Sequence, residues 1–249
     1  MVIRHSRIVS RMEKVMDFSH FDARHYPTVS VPEGYREWAE TYEDTVLDLM
    51  DLRLLARLRS VPWKRVQRAA DLACGTGRIG AWLKQQEVGS IDGVDLTPEM
   101  LEQARAKNVY QHLHPGDLAS TPLPTDHYEV VTAVLVDEHL PDVLPLYTEA
   151  ARITCPGGYC VLVGYHPYFL LGGIPTHFDR TTGEAVTIRC YVHLFSDHVR
   201  AALAAGWVLR EMEEGLIDEE WLAKKPQWKP YQHRPVSYAL VWQKEIHPA

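Results

Sequence analysis

Cysteine is scarce in this chain and is never paired at close spacing. Cys74, Cys155, Cys160 and Cys190 are the whole complement, and no C-x-x-C occurs. Three of the four stand in apolar contexts, which suits buried free thiols in a reducing cytoplasm, the expected location. Basic charge is also short: 26 Lys and Arg against 33 Asp and Glu leave a net charge of −7. A nucleic-acid-binding face needs the opposite balance, so nucleic acid is not an expected partner. No apolar run approaches membrane-spanning length, so no membrane association is expected. The N-terminus carries Arg4, Arg7, Arg11 and Lys14 but no continuous apolar segment after them, and no signal peptide is expected. No internal repeat and no low-complexity tract is present. What remains is an ordinary apolar content in 249 residues, enough for one α/β domain with elaborations.

The informative stretch runs from Ala69 to Leu83. Its first half is small and apolar and reads as a short buried strand. Gly75, Thr76 and Gly77 make a tight turn, and Arg78 to Gln86 reads as a helix with Ile79, Trp82 and Leu83 on one side. A strand, a glycine turn and a helix N-terminus together form a nucleotide site, because backbone can approach the ligand and free N–H groups face it. Gly75, Gly77 and Gly80 also spell G-x-G-x-x-G, a weak dinucleotide signal when it stands alone. The neighbouring acids decide the matter. Asp71 near the first strand end would repel a pyrophosphate and attract an amino or sulfonium group. Asp95 ends the next strand, where a carboxylate can accept both ribose hydroxyls. Asp117 follows a third candidate strand and can accept from an exocyclic amine such as that of adenine. Three carboxylates at successive strand ends suit S-adenosylmethionine (SAM) better than NAD with its two phosphates.

These residues resemble a known family. Asp71-Leu72-Ala73-Cys74-Gly75-Thr76-Gly77 is similar to motif I of class I SAM-dependent methyltransferases. The likeness continues through Val94-Asp95-Leu96-Thr97-Pro98-Glu99-Met100-Leu101, Gly116-Asp117-Leu118, Leu135 to Asp142 and Pro156-Gly157-Gly158, from about Tyr35 to the C-terminus. Ala73 stands where the family more often has glycine. The resemblance implies a Rossmann-like, doubly wound, seven-stranded sheet with an antiparallel last strand. It implies SAM as cofactor and a small-molecule methyl acceptor. The matching motif positions for the cofactor are Asp71, Ala73, Gly75, Gly77, Asp95, Leu96, Met100, Gly116, Asp117, Leu118 and Leu135, with Met100 able to pack on the adenine.

Along the chain, Arg7 to Phe21 can form a helix with Ile8, Met12, Val15 and Met16 on one face. It either packs on the core, serves a homodimer interface or, as the resemblance suggests, covers the site as a lid. Residues 1–34 are thus an N-terminal extension and 35–249 the methyltransferase domain. His25-Tyr26-Pro27 breaks the helix, and Tyr26 either caps the substrate site or lies in a surface turn. A long helix is expected from Tyr35 to Leu58, with Tyr35, Trp38, Tyr42, Val46, Leu49 and Leu52 at helical spacing. The segment Tyr35 to Glu43 resembles the pre-core helix of small-molecule methyltransferases, which places Tyr42 beside the cofactor. Thr97-Pro98-Glu99 opens a helix. Strands are expected over Tyr110 to His114, Tyr128 to Val136 and Gly158 to Gly164, and helices over Pro141 to Thr154 and Asp197 to Ala205, the last capped by Ser196. Trp207 to Glu213 and Val236 to Gln243 resemble the final strand pair. Residues 165–195 form an insertion that falls where the family builds its substrate pocket. Trp221, Trp228 and Tyr231 lie in a segment that either walls this pocket or covers a sheet edge.

Methyl transfer from a sulfonium needs alignment, exclusion of water and, for some acceptors, a proton acceptor. The histidines are the candidates. His166 directly follows the fifth strand and is the first choice for general base or substrate ligand; a packed, backbone-bonded histidine is the alternative. His139 faces the site, but it belongs to a pattern generic to the family, which favours a structural or cofactor-side role. Asp137, Tyr165, His177, Tyr191 and His193 complete the substrate-side candidates with Tyr26. A metal held by Asp137, Glu138, His139, His166 and His177 is disfavoured, because no tight ligand spacing is present. An NAD(P)-dependent oxidoreductase and a non-catalytic SAM-binding protein are the competing functions.

Overall fold

The computed structural model describes residues 15–246. Among the described residues ten strands occur in chain order: β1 (Thr28–Val29), β2 (Arg68–Leu72), β3 (Ser90–Asp95), β4 (His112–Pro115), β5 (Tyr128–Val134), β6 (Thr154–Tyr165), β7 (His177–Asp179), β8 (Ala185–Ile188), β9 (Trp207–Leu216) and β10 (Pro235–Lys244). The helices are α1 (Val31–Trp38), α2 (Tyr42–Thr45), α3 (Leu52–Arg57), α4 (Arg78–Gln85), α5 (Pro98–Ala106), α6 (Leu144–Ile153), α7 (Pro167–Leu171), α8 (Phe195–Ala204) and α9 (Glu219–Lys224). Seven strands form one sheet in the order β4-β3-β2-β5-β6-β10-β9. Strands β2 to β6 pair in parallel, and β10 runs antiparallel to both β6 and β9. This is the Rossmann-like doubly wound sheet that the motifs imply. β5 has six of its seven residues buried, as a strand covered on both faces requires. One face packs Leu146, Tyr147, Ala150 and Ala202 from α6 and α8; the other packs Leu54, Leu55, Trp82 and Leu83 from α3 and α4.

The order of strands reverses between β2 and β5, and ligands of open α/β sheets sit outside the carboxyl ends of the strands at that point. Above it the insertion folds into a second sheet of order β1-β8-β7. Only one strand over Ala185 to Val192 is expected from the sequence; the second, β7, and the contribution of β1 are additions. Phe178, Val186 and Ile188 of this small sheet bury Trp38 of α1.

Several elements depart from the sequence reading. Residues 7–14 of the expected N-terminal helix lie outside the described residues. Val15 to Phe21 is extended and then a 3-10 turn over Phe18–His20, because Met16 and Phe18 bond backbone to Val192 and Cys190 instead of to their own turn. The single helix from Tyr35 to Leu58 is three short ones. Arg78 from α4 donates to the Val46 carbonyl and to the Asp51 carboxylate, and Asp51 accepts from the Leu52 amide, which fixes a break ahead of α3. The helix after the insertion starts at Phe195, with the Asp197 carboxylate accepting from the Leu194 amide, so Ser196 is not its cap.

Candidate active site

Two cavities open over the carboxyl end of the sheet. The inner one, about 190 Å³, is lined by Ala73 and Gly75 after β2, Asp95, Leu96 and Thr97 after β3, Met100 of α5, Gly116 to Leu118 after β4, and Val134 to Val136 with His139 after β5. The outer one, about 290 Å³, is lined by aromatic residues Trp38, Tyr165, Phe178, Trp221 and Trp228, with Glu138, Thr176, His177, Asp179 and Lys225 among them. Tyr35, Tyr42 and Leu135 line both, so they form the shared wall.

The inner cavity gathers most of the residues that the motifs single out: Tyr42, Ala73, Gly75, Asp95, Leu96, Met100, Gly116, Asp117, Leu118 and Leu135. Gly75 has φ +53°, and a Cβ built on it meets nothing within 4 Å. A side chain there would project into the cavity, which is the open face a ligand needs. Ala73 and Leu135 hold left-handed φ of 53° and 54°, turning the chain away at the ends of β2 and β5. The Asp95 carboxylate accepts from the Gly75 and Thr97 amides, each at 2.8 Å. Burial raises its pKa, and the Thr97 and Gly75 bonds oppose that rise. A carboxylate has about four lone-pair sites, so it can accept from a ligand hydroxyl besides these amides. Asp117 uses one oxygen on the Ala119 amide. These donors and acceptors fit a ribose, an adenine amine and a short apolar adenine face on Met100.

Asp71 and Gly77 lie behind this wall. The Asp71 carboxylate accepts from the Tyr110 hydroxyl at 2.7 Å and from Thr132 Oγ1 at 2.8 Å. Burial pushes it up to about 6 against both bonds. Tyr110 Oη also accepts from the Gly80 amide at 3.2 Å, and a Cβ at Gly80 would overlap the Tyr110 ring. The third glycine of the G-x-G-x-x-G is therefore explained by a tyrosine. Tyr110, expected to begin a strand, lies two residues before β4 and turns its ring into this slot.

On the acceptor side the expected residues divide. Tyr165 and His177 line the outer cavity, and Tyr26, which lines neither cavity, tilts against the His177 ring at 5.4 Å between centroids. Asp137, Tyr191, His193 and His166 line neither cavity. Asp137 is buried on the other side of the sheet, where it accepts from the Tyr238 hydroxyl at 2.7 Å and lies 3.5 Å from His198. Burial would raise it, but the His198 and Tyr238 contacts outweigh that and hold it low. The close approach needs Gly164, where a Cβ would overlap Asp137. Tyr191 gives its amide to the Glu138 carbonyl, and His193 Nε2 is bonded to the Leu140 carbonyl at 2.7 Å.

His166, the expected base, is the N-cap of α7. Its Nδ1 accepts from the Tyr168 amide at 3.1 Å, so Nε2 carries the proton and donates to Glu214 at 3.1 Å. Its ring packs edge-on against Phe195 and Tyr238. Burial lowers its pKa, but both nitrogens are engaged away from the cavities. Strand alternation is the cause: Tyr165 points to the cavity, so the next residue points away.

His139 does reach the inner cavity. Its Nδ1 meets the Arg189 carbonyl at 2.8 Å, which must accept, so Nδ1 bears the proton. Nε2 is then left to accept from the Tyr35 hydroxyl at 2.9 Å. Burial pushes His139 down to about 4, and it stays neutral. The residues missed in the sequence are Tyr35, visible only as one member of an apolar stripe, and Glu138. The 3-10 turn over Asp137–His139 breaks strand alternation, so which of three polar residues faces the cavity was not readable there. Among the described residues no group of three or more His, Cys, Asp or Glu is placed to hold a metal, and no helix is long and apolar enough to cross a membrane.

Fold and site together define a class I Rossmann-like methyltransferase architecture. Comparison with known proteins agrees. Residues 70–162 match the family described as a methyltransferase domain. The chain is 25% identical to an uncharacterized methyltransferase of Emericella nidulans, over 83% of this chain and 88% of that protein. It is 31% identical to human methyltransferase-like protein 27 over 51% of this chain, and the match spans 55% of the human protein. An S-adenosylmethionine-dependent methyltransferase structure from Mesorhizobium loti superposes with TM-score 0.64 at 19% identity, covering 81% of this chain and 99% of that one. Residues 70–162 thus carry a methyltransferase domain on the fold of class I SAM-dependent methyltransferases, whose cofactor is SAM.

Proposed function

We propose that the enzyme methylates a small-molecule acceptor seated in the outer cavity. The observation that carries this is the pair of cavities divided by Tyr35, Tyr42 and Leu135. A concave chamber of about 290 Å³, walled by aromatic and apolar side chains with a few polar groups among them, has the size and lining of a small-molecule site. The net charge of −7 is the opposite of what a nucleic-acid acceptor would need.

When bound, SAM supplies an electrophilic methyl group on a sulfonium and leaves as a neutral thioether. The chain's own residues do the rest. Asp95 and Asp117 fix the nucleoside end. The Gly75 turn admits it to the backbone. Tyr35, Tyr42 and the aromatic walls exclude water and align an acceptor with the shared wall, where alignment alone can lower the barrier substantially. His139, neutral and bonded at both nitrogens, holds Tyr35 in that wall and is a positioning residue in this reading.

The test is turnover. The purified protein with SAM is given the small-molecule, protein and RNA fractions of a cell extract, and S-adenosylhomocysteine (SAH) is measured. SAH formation with the small-molecule fraction alone is expected; formation with protein or RNA alone overturns the reading. Asp95→Ala serves as the cofactor control. It should weaken SAM binding by tenfold or more, since charge-assisted hydrogen bonds are worth roughly 1.5–3 kcal/mol each. Unchanged affinity in calorimetry would remove Asp95 from the ribose.

A further inference from the structure

The outer cavity holds a buried carboxyl with one oxygen unpaired. Glu138 is 2% exposed and lines that cavity. Its Oε1 accepts from Thr176 Oγ1 at 3.1 Å, while Oε2 has no hydrogen-bond partner. Native structures rarely leave such an atom unpaired without a use for it. Glu138 also sits at the divide between the cavities: Oε1 is 3.8 Å from His139 Nε2, the atom that accepts from Tyr35 in the shared wall. Aromatic faces from Trp38, Tyr165 and Phe178 surround the same space.

We propose that Glu138 recognises an amine on the methyl acceptor and takes its proton as the methyl group arrives. This rests on the small-molecule reading above. An ammonium among aromatic faces and beside a carboxylate is held by cation–π attraction and a charge-assisted hydrogen bond. The nitrogen cannot attack while it is fully protonated. One N–H proton passes to Glu138 Oε2, the freed lone pair forms the N–C bond to the methyl carbon, and the C–S bonding pair returns to sulfur. Charge balances: a neutral carboxylic acid, a methylated ammonium and a neutral thioether remain.

The surroundings suit that task. Burial and the Asp137 carboxylate push Glu138 up to about 8, and a bound ammonium favours its ionised form, which is the form that can take a proton. The other titratable groups around it are His139, Tyr35, Tyr42, Tyr165 and Cys190, all neutral near pH 7 by burial. Lys225, the cation in the cavity wall, is lowered by burial and donates to the Thr45 carbonyl at 2.9 Å.

The experiment is calorimetry on the SAH complex at about pH 9, where Glu138 is ionised and the amines still largely carry their proton, using benzylamine, phenethylamine and tryptamine against the matched alcohols. Wild type should bind at least one amine about tenfold more tightly than its alcohol, as a charge-assisted bond predicts. Glu138→Gln, which keeps shape and loses the charge, should abolish that preference. Its SAM affinity should stay within about twofold, because Glu138 does not line the inner cavity. A melting temperature at or above wild type shows that the variant folds. No amine preference in wild type, or the same preference in Glu138→Gln, overturns the proposal. Loss of SAM binding in both proteins would instead count against the methyltransferase reading beneath it.

Discussion

His166, the first choice for a base from the sequence, is engaged at both ring nitrogens, whereas Glu138 is left with an unpaired carboxyl oxygen. His166 caps α7 and braces Glu214, so His166→Ala should cost about 1 kcal/mol for the cap, plus lost packing. Turnover per folded molecule and SAM affinity should stay near wild type. Melting curves and kcat on the same variant check this, and a large fall in kcat at unchanged stability would restore His166 to the chemistry. Glu138 and His139 should leave opposite marks on the pH dependence of folding. Glu138 holds its proton to about 8 when folded, against 4.5 for an unperturbed glutamate. Its contribution is therefore full below about 4.5 and is lost as pH rises through about 8. His139 is the reverse: its folded pKa is about 4 against 6.5, so its contribution is present above about 6.5 and lost as pH falls toward 4. Glu138→Gln, which mimics the protonated form, should melt above wild type at about pH 9 and match it near pH 5. Parallel curves across that range would show that Glu138 ionises freely.

At the scale of elements, the segment from β2 through α4 was legible before any coordinates. Small residues, a glycine turn and a 3.6-residue apolar period all point one way there. What was hidden is the support behind it. Tyr110 bonds Asp71 on β2 and the Gly80 amide at the start of α4, thirty residues away for the latter. No local pattern announces a contact of that kind, because it is set by how the chain returns after α5. Tyr110→Phe leaves a buried Asp71 oxygen unpaired, which costs about 1–3 kcal/mol. The hydroxyl favours the ionised carboxylate, and Asp71 sits near 6. The loss should therefore be larger at about pH 8 than at about pH 5, where the carboxyl carries its proton. Denaturant unfolding at the two pH values measures it. The same reasoning explains the long helix that came apart. The apolar stripe from Tyr35 to Leu52 has helical spacing, yet Arg78, from another element, holds the Val46 carbonyl and Asp51 in a break.

For the molecule as a whole, the sheet and the cofactor side followed from the motifs, and the acceptor side did not. The cofactor residues lie at strand ends, where sequence order and spatial order agree. The outer cavity is assembled from α1, the turn after β5, the insertion and the α9 region, pieces remote in sequence whose facing depends on tertiary packing. One feature of that assembly reaches beyond the site. β1 pairs in parallel with β8, Thr28 opposite Thr187 and Val29 opposite Ile188, and the Thr187 and Arg189 amides donate to the Pro27 and Val29 carbonyls. Gly34 in the following helix fits against Ile188 with no room for a Cβ. β1, β8 and β7 are thus one mechanical unit beside the two chambers. Neither β1 nor the β7–β8 pair can swing aside without breaking the other's ladder. Hydrogen exchange should show the amides of Thr187 and Arg189 opening at the same rate as that of Gly34, and filling the chambers with SAH and an acceptor should slow all three together.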